Sequence, residues 1–298
     1  MGIGESAALT AACCWAVASM FYCRIPLSAW AINLSKNVFT SIVLLVHLSI
    51  VAAVSSRPIF SASGSAWGWL MMSGIVGIAL GDTFYFRSLQ ILGPRRGLVV
   101  ATMAPLFGAL VGWLWLDETL GMQEWLGIAI TLSAIIAVVS EDQQQDESPG
   151  LYPASSMVGF AYGTLASICT SMGGALSKVG MADCDPLEAT FIRIIVCVPL
   201  MALFAMGKGK LREVASQSLK PANLKWFVPA ALSGTWIGIW LSQVAYKFSD
   251  IAIALTLLTT SPLFAIPMVA LFLRQRVSWR AILATIIAVV GVGILVSA

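Results

Sequence analysis

Ten separate apolar runs divide this chain, each close to the roughly 17–25 mostly apolar residues that a membrane-spanning helix needs. They fall at about 5–23, 30–54, 67–89, 97–116 and 122–140, then at 157–178, 187–206, 225–246, 251–273 and 279–297. Charged side chains are too scarce to cover a soluble globule of 298 residues, at 10% of the chain, where an ordinary soluble domain has about 25%. A soluble enzyme, a nucleic-acid binder and a disordered chain are therefore excluded. The expected fold is an all-α polytopic membrane protein with ten transmembrane helices. Its expected location is the cell (inner) membrane, multi-pass. No Lys or Arg precedes Arg24, so the first run lacks the basic start of a signal peptide and reads as an uncleaved span.

Most connections are only a few residues long, as between antiparallel neighbouring helices. Two are longer. Glu141 to Glu147 is acidic and Gln-rich and runs into Ser148-Pro149-Gly150, so residues 141–156 read as a solvated linker. The basic stretch Lys208 to Lys225 has room for a short surface helix.

The linker separates two similar halves, residues 1–140 and 157–298. Ala104-Pro105-Leu106-Phe107 in the fourth span matches Ser261-Pro262-Leu263-Phe264 in the ninth, an offset of 157 residues. The same offset, without gaps, lays Trp69 on Trp226, Gly77 on Gly234, Gly81 on Gly238, Lys36 on Arg193 and Val139-Ser140 on Val296-Ser297. Five helices per half is an odd number, so the second half must enter the bilayer inverted. Inverted repeats recur in secondary transporters, with the substrate site near the midplane where the repeats meet.

The basic residue in each second helix, the glycine-spaced third helix and the A/S-P-L-F element in the fourth resemble the EamA-type drug/metabolite transporters. So does the segment Trp115-Leu-Asp-Glu118-Thr-Leu120 with Gly127 beyond it. The likeness covers essentially the whole chain. It implies a ten-helix carrier for small metabolites such as amino acids, with a central cavity lined by helices one to four and six to nine, and five and ten peripheral. The second half departs from the pattern: Gln275 stands where the first half has Glu118.

Asp82 is the most informative single residue. A carboxylate at the membrane centre costs roughly 2.5–3.5 kcal/mol on insertion scales, so it should face the bundle interior. One reading makes Asp82 a proton-coupling or substrate-amine site. The other makes it half of a salt bridge near the membrane end, with Arg87 as partner. Lys36 and Arg193 form the symmetric basic pair. They could bind a carboxylate or phosphate, or snorkel toward the interface. Glu188, five positions before Arg193, is not assured as its partner.

Gly77-x-x-x-Gly81 and Gly234-x-x-x-Gly238 put small residues on one face of spans three and eight, where backbones can approach closely. The expectation is that these two helices cross each other. Pro105 and Pro262 predict helix kinks that free the carbonyls of Ala101 and Leu258. Beside them, the hydroxyls of Thr102 and Thr259 are candidate substrate contacts in the cavity wall. Among the aromatics inside spans, Trp15, Tyr85, Trp236 and Trp240 are further candidates, with Gln243 three residues beyond Trp240. Lipid contact is the competing reading for each tryptophan.

Six cysteines without a C-x-x-C and the single histidine, His47, leave no usual zinc site, and no metal or cofactor is expected. An intramembrane enzyme is disfavoured because His47 has no obvious Ser or carboxylate beside it. A small-molecule channel and a non-transporting scaffold stay open as alternatives to a carrier. The expected partners are a small-molecule substrate and membrane lipid, without nucleic acid, and a monomer is plausible. Orientation is contested within the sequence. The side carrying both termini holds only Arg57, Lys178 and Lys247 among its basic residues, which by the positive-inside rule places the termini outside the cytoplasm. The family resemblance implies the reverse.

Overall fold

A computed structural model describes residues 2–22, 24–25, 27–141, 156–265, 268 and 279–297, and all regular structure among them is helical. The first half comprises α1 (Ile3–Tyr22), α2 (Ala29–Ser55), α3 (Gly64–Ser73) and a π-helical stretch π1 (Gly74–Asp82). It continues through α4 (Thr83–Ala101), α5 (Ala104–Trp115) and α6 (Met122–Glu141). The second comprises α7 (Ser156–Gly180), α8 (Pro186–Gly207), the short α9 (Leu211–Ser218), α10 (Pro221–Ala230) and a second π-helical stretch π2 (Ala231–Gly238). Then come α11 (Ile239–Phe248), α12 (Ile251–Leu258), a helical segment at 261–265 and α13 (Trp279–Val296). Residues 142–155 of the acidic linker and Gln275 lie outside the described residues.

Local chemistry explains where these helices begin. Ser63 accepts from the Ala66 amide and starts α3; Asp185 accepts from the Leu187 amide at 2.8 Å, with Pro186 in the first turn of α8. Side-chain acceptors satisfy amides that the helix itself leaves free. The basic stretch does carry a short helix, α9, which buries little beyond Val214 and Ser218.

The halves match in their irregularities as well as their helices. The π-helical stretches start at Gly74 and Ala231, again 157 residues apart. The fourth and ninth spans each break, at Thr102–Met103 and Thr259–Thr260. Pro105 and Pro262 then stand second in the helix that follows. They sit in a first turn, where the missing donor costs nothing, instead of kinking one continuous helix. Near the first break the partnered carbonyls are those of Val100 and Ala104, which accept from Ser167 Oγ at 3.1 Å and Ser171 Oγ at 2.7 Å. Ser88 and Val100 both lie against the same glycine of α7, Gly163. The chain therefore turns back on itself within the helical residues 83–101.

The glycine faces do not pack on each other. A Cβ on Gly173 of α7 would stand 2.7 Å from Gly77 Cα, and one on Gly81 3.3 Å from Cys169 Cβ. In the other half, a Cβ on Gly234 would meet Ala18 at 2.5 Å and one on Gly238 would meet Trp15 Nε1 at 2.6 Å. Each third helix thus crosses the first helix of the opposite half. Small residues supply the close approach; the periodicity of a single helix does not say which neighbour uses it.

Equivalent spans pair elsewhere: α2 with α8, α5 of the fourth with α12 of the ninth, and α6 with α13. The α6–α13 pair is antiparallel, since Gly127 lies against Leu295 and Gly291 against Thr131. Exposed Ile42, Leu45, Val46, Ile50 and Val54 line α2 at helical spacing, and Ile282, Leu283, Ile286, Ile287 and Val290 do the same on α13. Such contiguous apolar surface needs lipid or a partner. Four helical stretches combine spanning length with high hydropathy among the described residues: Ile3–Tyr22, Trp30–Ser55, Gly64–Ser88 and Pro186–Gly207.

Candidate functional site

Three charges from three helices come together inside the bundle. Lys36 of α2 donates from Nζ to Asp82 Oδ2 at 2.8 Å. Asp82 is the last residue of π1, and its ion-pair partner is Lys36 rather than Arg87, five residues further along the chain. Lys36 is 5% exposed, while about a third (32%) of the Asp82 side chain is open. Arg193 of α8, also 5% exposed, lies within electrostatic reach of Asp82, Tyr246 and Cys197. Its Nε has no hydrogen-bond partner.

Glycine brings Arg193 here. A Cβ on Gly74 would overlap the Arg193 carbonyl oxygen and come within 2.9 Å of its carbonyl carbon and Cα, so α8 rests directly on the backbone of π1. A Cβ on Gly77 would stand 3.1 Å from Arg193 Nη2. The π-helical winding widens each turn by one residue, and such segments occur often at functional sites. Here one ends on Asp82.

The other candidate residues have surroundings of their own. Gln243 is fully buried; its Oε1 accepts from Ser177 Oγ and its Nε2 donates to Ser242 Oγ at 3.3 Å. Trp15 donates from Nε1 to the Gly234 carbonyl at 3.0 Å. Trp236 and Trp240 both meet His47 edge-on, and Trp236 Nε1 donates to His47 Nδ1 at 3.3 Å. Thr259 Oγ1 donates to the Thr256 carbonyl at 2.7 Å, Thr102 is buried at its helix break, and the Tyr85 ring lies tilted beside that of Phe86. Clefts of about 390 Å³ beside Trp113 and Trp125, and about 360 Å³ beside Leu9 and Val289, open elsewhere.

Two neighbours of the cluster are not among the site residues expected from the sequence, although Tyr246 stands out there as an aromatic inside a span. Tyr22, at the end of α1, shares a 2.9 Å hydrogen bond with Thr235 Oγ1 of π2 and sits in the field of Lys36 and Asp82. Tyr246 is 4% exposed beside Arg193. Neither has a symmetric tyrosine in the other half, so the repeat carries no signal for them.

Glu188 does not pair with Arg193. It is buried, and its carboxylate accepts from the Ser61 and Ala62 amides at 2.9 Å and from Ser61 Oγ at 2.9 Å. Glu118 bridges the halves. Its Oε1 accepts from Lys178 Nζ at 2.6 Å, and its Oε2 accepts from the Ile251 amide at 2.9 Å. It thereby caps α12 and ties the end of α5 to the second half. Lys178 also donates to the Ser249 carbonyl at 2.8 Å, and Ser249 Oγ bonds Glu5 Oε1 at 2.9 Å. The terminus-side end of the bundle is thus stitched across both halves.

Cys184 lies in the connection between α7 and α8, 2% exposed, and burial pushes its thiol up to about 12. The thiolate is the nucleophile, and it exists only as pH approaches that value. A variant keeping Cys184 alone should therefore not react with maleimide at pH 7–8 while folded, and should react fully once denatured. Labelling of the folded protein at pH 7 would contradict this burial.

Similarity to known proteins agrees with the geometry. The profile of the EamA-like transporter family matches residues 2–140 and again 157–297. The chain belongs to this family. Among relatives of this EamA protein, the permease-like protein YdzE of Bacillus subtilis is 32% identical over 78 residues, covering 26% of this chain and all of YdzE. An uncharacterized transporter of Archaeoglobus fulgidus is 22% identical over 277 residues, covering 92% of this chain and 91% of that one. A crystal structure at 15% identity has TM-score 0.74 over 98% of this chain and 96% of its own, a likeness of fold alone. The family and these names place the chain among integral membrane transporters.

Proposed function

We propose that this EamA protein is a secondary transporter that moves small metabolites by alternating access through a central site between its two repeats. In this reading the ten apolar runs are ten spans, arranged as two inverted five-helix repeats. The antiparallel α6–α13 pair supports the inversion. The observation that carries the function is the Lys36–Asp82 ion pair with Arg193 beside it, buried where helices of both halves meet. Ionisable groups within a bilayer mark ion and substrate pathways.

The cargo class is amino acids or related zwitterions and amines, because the cluster offers both signs of charge. Asp82, the more accessible member, is the proton-coupling group. Counterflow in proteoliposomes tests the carrier directly, using a labelled amino-acid mixture outside and unlabelled mixture inside. The expected result is saturable uptake of label that exceeds equilibrium transiently. Label that only equilibrates, without saturation, would mean a channel; no entry of any solute, extended to nucleosides and organic amines, would mean a scaffold.

A further inference from the structure

The central cluster holds two cations and one anion, and only one cation is matched. Asp82 lies 2.8 Å from Lys36 and takes its charge. Arg193 is in none of the salt bridges formed among the described residues, and its Nε donates to nothing. The nearest carboxylate along its own helix, Glu188, is already filled by the Ser61 and Ala62 amides. A guanidinium that is 95% buried without an anion is an unfavourable arrangement, and a fold that needed only packing here would carry an apolar side chain.

We propose that Arg193 anchors a carboxylate on the transported solute, which supplies the counter-ion that no described side chain gives it. The proposal rests on the carrier reading above and narrows its cargo to carboxylate-bearing solutes. Lys36 does not serve as the anchor, because its charge is committed to Asp82. The guanidinium fork suits a planar carboxylate, which it can hold with two parallel hydrogen bonds. Gly77 keeps the backbone of π1 clear of the fork, since any Cβ there would press on Nη2. The open side of Asp82, within electrostatic reach of Arg193, marks the approach to the cluster.

The test uses the full-length protein purified in detergent and reads unfolding temperature. Wild type, Arg193→Gln and Arg193→Lys are compared alone, with a mixture of amino acids and small mono- and dicarboxylates, and with the matching carboxamides. Without ligand, Arg193→Gln should unfold on the order of 3 °C higher, because it removes an unmatched buried charge. The acids should raise the wild-type temperature, the carboxamides should not, and Arg193→Gln should respond to neither. Arg193→Lys should keep part of the acid response. A lower unfolding temperature for ligand-free Arg193→Gln would show a structural arginine and overturn the proposal. So would acids that fail to stabilise the wild type, or carboxamides that stabilise it equally. Counterflow run in parallel separates the two readings: amine exchange without acid exchange sinks the anchor and leaves the carrier, whereas no exchange of any solute sinks the carrier.

Discussion

Gly74→Leu should leave little or no monodisperse protein in a detergent extract, while Gly68→Ala should be recovered at wild-type level or better. The difference lies in what a side chain would meet. At Gly74 the obstacle is the Arg193 backbone, which no rotamer change can clear. Overpacking a side-chain core costs about 1–3 kcal/mol, and an overlap with backbone at a helix crossing should exceed that range. A methyl group on Gly68 would have nothing within 4 Å, so its replacement gains helix propensity, about 1 kcal/mol. Fluorescence-detected size exclusion of tagged variants reads both outcomes. A folded Gly74→Leu would mean that α8 and π1 do not touch as described.

The second large effect concerns transport. Asp82→Asn should abolish net uptake driven by a proton gradient, by at least tenfold, while counterflow at fixed pH persists. Proton coupling needs a group that exchanges its proton during the cycle, and an amide cannot. The same substitution leaves Lys36 buried without its anion. Breaking a fully buried pair costs about 3–5 kcal/mol, and the partial exposure of Asp82 should bring the cost below that. The double variant Lys36→Met/Asp82→Asn separates the effects. It should recover most of the lost stability and none of the coupling.

Much of the architecture is legible in the chain because helix breakers and small residues leave local marks. Pro105 and Pro262 announce their interruptions, and the constant offset of 157 residues pairs them. Lys36, Asp82 and Arg193 stand out as charges in apolar runs, for the bilayer makes any such residue conspicuous. Their partners are not legible. Lys36 and Asp82 are 46 positions apart on different helices, whereas Arg87 is merely close in sequence. The glycine stripes reveal a surface for close approach but not that α7 and α1 occupy it. The π-helical stretches have no compositional signature, since Gly-Ile-Val-Gly reads equally well as α-helix. Trp236 and Trp240 have the spacing of a ligand stripe, yet His47, nearly 190 residues earlier, fills the space between them.

One measurement bears most directly on the central cluster as the transport site. Wild type and Lys36→Met/Asp82→Asn, reconstituted at equal density, are compared for net uptake under a pH gradient and for counterflow at symmetric pH, using the same labelled mixture. Counterflow retained with net uptake lost is the expected result, and it would assign coupling to the Asp82 carboxylate. Net uptake with unchanged dependence on the gradient would contradict that role and move the coupling site elsewhere in the protein.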